Sequence, residues 1–185
     1  MKKIFYATIL VLCAPFLFAS DSEHAVIRAV LKAVARTNHH DGLAPAAVRS
    51  MTSGGAELFA TQWITKVRGK VIGEELAASY EKVNARPEAV TDFLPRLVKD
   101  INIDEPYDWK TIHRMLPAAQ SLIVFSRPAF DSLGSSAFVR ADVIPRQGQA
   151  TTTFYELEHQ PDDSWKIHQA AKMTYKNARR TDAHP

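Results

Sequence analysis

Sulfur chemistry is almost missing from this chain. Its 185 residues include one cysteine, Cys13, inside the N-terminal apolar run. Once that run is removed, no disulfide, thiolate metal site or cysteine nucleophile can form. No H-E-x-x-H pair occurs, and Gly54-Gly55 lacks the lysine and following hydroxyl of a phosphate-binding loop. Excess charge is scarce too. The formal net charge is +3, and setting aside Lys2 and Lys3 leaves 21 basic residues against 20 acidic. A balance that even gives no reason to expect nucleic acid or an anionic lipid surface as a partner. No internal repeat, low-complexity tract or linker divides the chain, so one domain is expected.

The first 22 residues read as a secretory signal peptide. Lys2 and Lys3 form a basic start, residues 4–18 form an apolar stretch, and small residues follow at Ala19, Ser20 and Ser22. About fifteen residues interrupted by Pro15 are too few for a stable membrane anchor. Leu12 stands before Cys13 where a lipid-modified cysteine needs a small residue, which argues against a lipoprotein. Cleavage after Ala19, Ser20 or Ser22 leaves 163–166 residues, enough for one core-bearing domain. The expected location is periplasmic or secreted. The expected layout is a domain over residues 23–175 and a basic tail over 176–185, with Lys176, Arg179 and Arg180.

Apolar periodicity then separates two halves. Residues 22–38 place Ala25, Val26, Ala29, Val30, Ala33 and Val34 on one helical stripe. Further helices are expected over residues 44–51, 56–67, 74–85 and 87–98, with a short helix or irregular segment over 107–116. From Ser121 the period changes to two. Strands are expected over residues 121–127, 135–144, 150–159 and 165–173, separated by clusters of Pro, Gly, Asp and Gln. In the last of these, Trp165, Ile167, Ala171 and Met173 are expected on one face. Links this short favour consecutive hairpins, because parallel neighbours need long crossovers. The fold class expected is α+β, with N-terminal helices packed on the apolar face of a C-terminal four-stranded antiparallel sheet.

Several positions together resemble an uncharacterised family of exported bacterial proteins. They are Asn84, Trp109, Pro117, Ser126-Arg127 with Phe130, Ala137-Phe138-Val139, Tyr155-Glu156-Leu157-Glu158 and Trp165-Lys166-Ile167, spanning residues 74–167. Phe125 stands where that pattern has leucine, and its glycine-rich stretch is reduced to Gly148. The strand order and closing Trp-Lys-Ile are also similar to the nuclear-transport-factor-2-like or cystatin-like class. That resemblance implies a cone in which helices pack into a curved sheet, and it carries no function.

The reactive residue types form three loose groups. His39, His40 and Asp41 combine imidazole and carboxylate, the groups of metal ligands and acid–base catalysts. Adjacent loop residues seldom converge on one ion, and His159 or His168 would have to complete such a site. The plainer reading is a polar helix C-terminus. Ser126-Arg127 with His113 and Asp131 suggests a hydrolase, but no glycine flanks the serine as a nucleophile elbow requires. The plainer reading pairs Arg127 with an acid such as Asp131 or Glu156. Tyr80, Tyr155 and Asp142, with Arg127, could line a pocket for a small ligand, or serve a proton-donating tyrosine; core packing is the plainer alternative. Trp63, Trp109 and Trp165 read as core anchors.

The sequence therefore favours an exported binding or accessory protein over an enzyme, with no metal and no cofactor. Its partner would be another envelope or secreted protein. Two alternatives stand beside this: a periplasmic inhibitor or immunity protein against a secreted toxin, and a small-molecule isomerase or hydrolase.

Overall fold

The computed structural model describes residues 14–37, 46–49, 66–87, 89, 100–101 and 108–175, with side chains described for 21–34, 48–49, 66–87, 89 and 108–173. The helices expected over 56–67 and 87–98 lie almost wholly outside these residues, as does the basic tail. The described elements are α1 (Ala14–Thr37), β1 (Ala46–Arg49), α2 (Glu74–Val83), β2 (Asp100–Ile101), α3 (Trp109–Met115), β3 (Ser121–Phe125), β4 (Ala129–Phe130), β5 (Ser136–Pro145), β6 (Ala150–His159) and β7 (Trp165–Tyr175). The chain is an α+β protein. Its sheet runs β2-β1-β3-β5-β6-β7, with β4 continuing the line of β3 along β5. From β3 onward every pairing is antiparallel, as the short turns require.

Three strands were not legible in advance. Residues 44–51 read as a helix, yet Ala46–Arg49 is a strand pairing in parallel with β3 on one side and β2 on the other. Alanine favours helices intrinsically, but propensity gives way to a buried site between two strands, where Val48 is 1 % exposed. β2 is two residues long and carries no periodic signal. β4 is hidden behind Pro128.

The helices do not share one face. On β5, Ala137, Val139 and Ala141 alternate with Phe138 and Arg140, so the two sets point to opposite sides. The first set packs with Val26, Ile27, Val30 and Val34 of α1, and with Phe125, Leu157 and Trp165. Phe138 packs on the other side with Leu76, Ala77 and Tyr80 of α2, and with Phe154 and Met173. Ile112 of α3 covers Leu122 and Val124 on that same second side. The sheet is thus a middle layer rather than a cone with helices gathered on one face.

α1 packs on the sheet through its buried stripe, so it responds to small losses of volume. Ile27 is fully buried. Ile27→Val should lower the free energy of unfolding by about 0.5–1.5 kcal/mol, the usual cost of one buried methylene. The urea midpoint checks this, and an unchanged midpoint would mean α1 does not pack on the sheet.

A register shift reorders β7. Leu157 pairs with Ile167, but Glu156 pairs with Gln169, so His168 is an extra residue in the strand. Beyond the bulge the parity changes. Trp165 and Ile167 face α1, whereas Ala171 and Met173 face α2. The single face expected for these four residues is therefore divided between the two sides.

Candidate functional site

The polar residue types concentrate where β3 gives way to β4. Phe125 pairs with Ala141 and Ala129 with Phe138, so Ser126, Arg127 and Pro128 face only Val139 and Arg140. One residue more on this side makes a bulge, and proline is tolerated there because the ladder is already broken. Ser126 N still donates to Arg140 O at 3.0 Å, while Arg140 N donates to Ser126 Oγ at 2.8 Å. The serine hydroxyl thus stands in for a missing backbone carbonyl.

Asn84 supplies the rest of the missing ladder. It caps the C-terminal end of α2 and is 3 % exposed. Arg127 N donates to Asn84 Oδ1 at 2.7 Å, and Asn84 Nδ2 donates to Arg127 O at 3.0 Å and to Tyr80 O at 3.0 Å. A primary amide has a donor and an acceptor side by side, as a strand backbone has, so it can pair with both groups of one residue. The Arg127 side chain leaves in another direction. Its Nε donates to Glu23 Oε1 of α1 at 2.9 Å, and Glu23 is 7 % exposed. The acid paired with Arg127 is therefore Glu23, not Asp131 or Glu156. Asn84, Ser126 and Arg127, residues of the resemblance pattern, together clasp α1, α2 and the sheet.

A second polar group lies on the α2 side of β5. The Arg140 Nε and Asp142 Oδ2 atoms are 3.3 Å apart, and both side chains are almost wholly buried. Thr152 Oγ1, on β6, donates to Asp142 Oδ1 at 2.5 Å. The Tyr80 hydroxyl lies near Ser126 and in the field of Arg140 and Asp142. Phe138 and Phe154 stack at 5.8 Å to one side of this group, and the edge of Tyr80 meets Phe138 at 5.1 Å. Leu122, Val124 and Ile144 flank the other side.

Burial raises the Tyr80 hydroxyl above its usual value, with Arg140 and Ser126 opposing the rise. Burial also raises Tyr155, opposed by Thr153. Both therefore stay protonated in the fold at neutral pH. An unfolded tyrosine ionises near pH 10, so above about pH 10 the unfolded state loses its protons first and stability falls as pH rises. Alkaline titration followed at the phenolate absorbance should show two tyrosines that ionise only as the fold melts. Ordinary ionisation of every tyrosine before melting would contradict these placements.

The three sequence groups fare differently. His39, His40 and Asp41 lie outside the described residues. Ser126, His113 and Asp131 take separate roles: Ser126 is buried in the bulge, His113 is exposed on α3, and the Asp131 carboxylate accepts from Ser135 N at 2.8 Å and Ser135 Oγ at 2.7 Å. Tyr80 and Asp142 do come together, but Tyr155 packs on the α1 side of the sheet and lines nothing with them. Strand alternation puts it there, because Tyr155 pairs with Val139. His168 Nδ1 is 3.1 Å from Glu158 Oε1 and half exposed, while the His159 ring lies 4.9 Å from that of Trp165. Among the described residues, no three His, Cys, Asp or Glu side chains are arranged to hold a metal ion. No described helix is long and apolar enough to cross a membrane.

Glu23, Arg140 and Thr152 were missed as participants. One signal for the second of these was available. Arg140 and Asp142 share a face of β5 with Phe138 and Ile144, and opposite charges two apart within a buried strand imply a paired, buried group. Comparison with family models, curated proteins and solved structures finds no match for this chain.

Proposed function

We propose that the protein is exported and acts in the cell envelope by binding, as an accessory protein without catalysis. One observation carries this reading. The reactive side-chain types assembled at the β3–β5 junction are spent on the fold: Asn84 and Ser126 complete a broken backbone ladder, and Asp142 is held by Arg140 and Thr152. A nucleophile or general base needs its reactive atom aimed at a substrate, whereas these aim at backbone and at one another. A partner of the same compartment, another envelope or secreted protein, fits a chain with near-balanced charge. The test uses the exported protein as bait in envelope extract, with native mass spectrometry of the same preparation. A single protein partner at fixed stoichiometry supports binding, and absence of any partner together with a co-purified small molecule counts against it.

A second reading, a pocket enzyme acting on a small molecule, draws on Tyr80. A protonated tyrosine in the field of Arg140 and Asp142 could donate to a developing oxyanion. Tyr80→Phe keeps the ring contact with Phe138 and removes the hydroxyl. Loss of a measured turnover without loss of folding would favour the enzyme.

A further inference from the structure

We infer that the turn joining β4 to β5 is the contact surface for a protein partner, with Leu133 as an anchor that enters an apolar socket rimmed by lysine or arginine. This deepens the binding reading above and rests on it. Among the described residues, the exposed large apolar side chains are Met115 and Leu133, at 47 % and 87 %. A single exposed apolar side chain is ordinary. Leu133 differs in how firmly its backbone is held.

The turn reads Asp131-Ser132-Leu133-Gly134-Ser135. Gly134 N donates to Asp131 O at 3.1 Å, and Asp131 N donates to Ser136 O at 3.1 Å. Gly134 has φ 66°, the left-handed geometry that closes a short hairpin loop. The Asp131 carboxylate accepts from Ser135 N and Ser135 Oγ. From α2, 57 residues earlier, Glu75 Oε1 accepts from Ser132 N at 2.8 Å. The backbone on both sides of Leu133 is thus fixed, once by its own loop and once by a helix. None of these bonds uses the Leu133 side chain, so a polar residue there would leave the turn intact. The fold gains little from leucine at this position. A binding surface gains more, because an apolar anchor already in place loses little freedom when it fills a pocket.

The surroundings give the chemistry of the socket. The β6–β7 turn lies alongside, since His159 N donates to Ser135 O at 2.9 Å. An aspartate stiffens this turn too: Asp162 Oδ1 accepts from Ser164 N at 3.1 Å and from Ser164 Oγ at 2.6 Å. Next to it is an open hollow of about 490 Å³, lined by Pro161, Asp162, Trp165 and Lys166 among others, with room for the rim of a partner. Asp131, Glu75, Asp162 and Asp163 therefore gather at one end of the sheet. Burial would raise Asp131, but its bonds from Ser135 and Ser136 outweigh this and hold it low. Ser132 lowers Glu75 and Ser164 lowers Asp162, so all three carboxylates are charged at neutral pH. The cations nearby are already matched. Lys166 stands opposite Glu158, His159 is 3.7 Å from Asp163, and Arg68 is held by Glu74 and Glu81. On a chain whose charges otherwise nearly cancel, this end is acidic. A basic rim complements it, and an acidic rim is repelled.

The test uses the full chain made with photo-leucine in place of leucine, mixed with envelope extract and irradiated. A cross-link from residue 133 is expected, into a partner segment of apolar residues flanked by lysine or arginine. A partner linked only through other leucines overturns the inference and leaves binding standing. A link from 133 into a second copy of this chain also overturns it, and the absence of any partner overturns both readings. Variants give the second measurement. Leu133→Ser should weaken the captured complex by about tenfold or more with its urea midpoint unchanged, the size of effect expected of an anchor residue. Leu133→Met should retain the complex, Met115→Ser should leave it as it is, and added salt should slow its formation. Equal capture by Leu133→Ser, or the same loss in Met115→Ser, overturns the inference.

Discussion

Asp142→Ala should destabilise the protein by about 3–5 kcal/mol, the usual loss when one partner of a buried ion pair is removed. Arg140 is 3 % exposed and cannot turn to water for compensation. Thr152, 1 % exposed, loses its acceptor as well. Against a typical total of about 5–15 kcal/mol, this loss is a large fraction of the whole. The urea midpoint should fall with little change in slope. Replacing the group as a unit, with Arg140→Met, Asp142→Leu and Thr152→Val together, should recover most of the loss, because apolar side chains of similar volume carry no desolvation cost. A single variant as stable as the parent would mean that the pair is not buried as described.

Asn84→Ala should cost about 2–4 kcal/mol, since it removes three hydrogen bonds at a buried site and leaves backbone groups without their side-chain partner. The direct effect falls on Arg127 N and O, which lie in a bulge where the neighbouring strand does not reach them. Loosening that bulge also loosens the Arg127 side chain that holds Glu23 of α1. Amide exchange should therefore quicken at Arg127 and in α1 beyond the general loss of stability. Asn84→Asp is nearly isosteric and separates shape from chemistry. It keeps the acceptor for Arg127 N and loses both donated bonds, so it should also destabilise. An Asn84→Asp protein as stable as the parent would remove the clasp from this account.

Much of the architecture could be read from local pattern. β5 and β6 alternate cleanly between turn clusters, and α2 presents Leu76 and Tyr80 at helical spacing with Glu74 and Glu75 in its first turn. What escaped depends on distant residues. β1 is a strand because β3, more than seventy residues later, pairs with it. β4 escaped because Pro128 looks like an end, whereas a bulge lets the strand line resume after it. The parity of β7 was misjudged because one inserted residue, His168, exchanges the faces beyond it, and no composition signal marks that insertion. Among the site residues, Asn84 and Ser126-Arg127 were visible as a pattern but not as one structure, since their union spans 43 residues. Glu23 joins across 104 residues and gives no local sign of doing so. Tyr80 with Asp142 was legible as a pairing, and Tyr155 was misplaced because period-two alternation fixes only relative faces, not which helix covers each.

The most direct test is envelope capture by the Arg140→Met, Asp142→Leu, Thr152→Val protein beside the parent, with folding verified by its urea midpoint. If the polar group is scaffold, the folded triple variant captures the same partner at the same stoichiometry. A triple variant that melts like the parent yet loses its partner, or loses a measured turnover, would place the group in the working site and contradict the account.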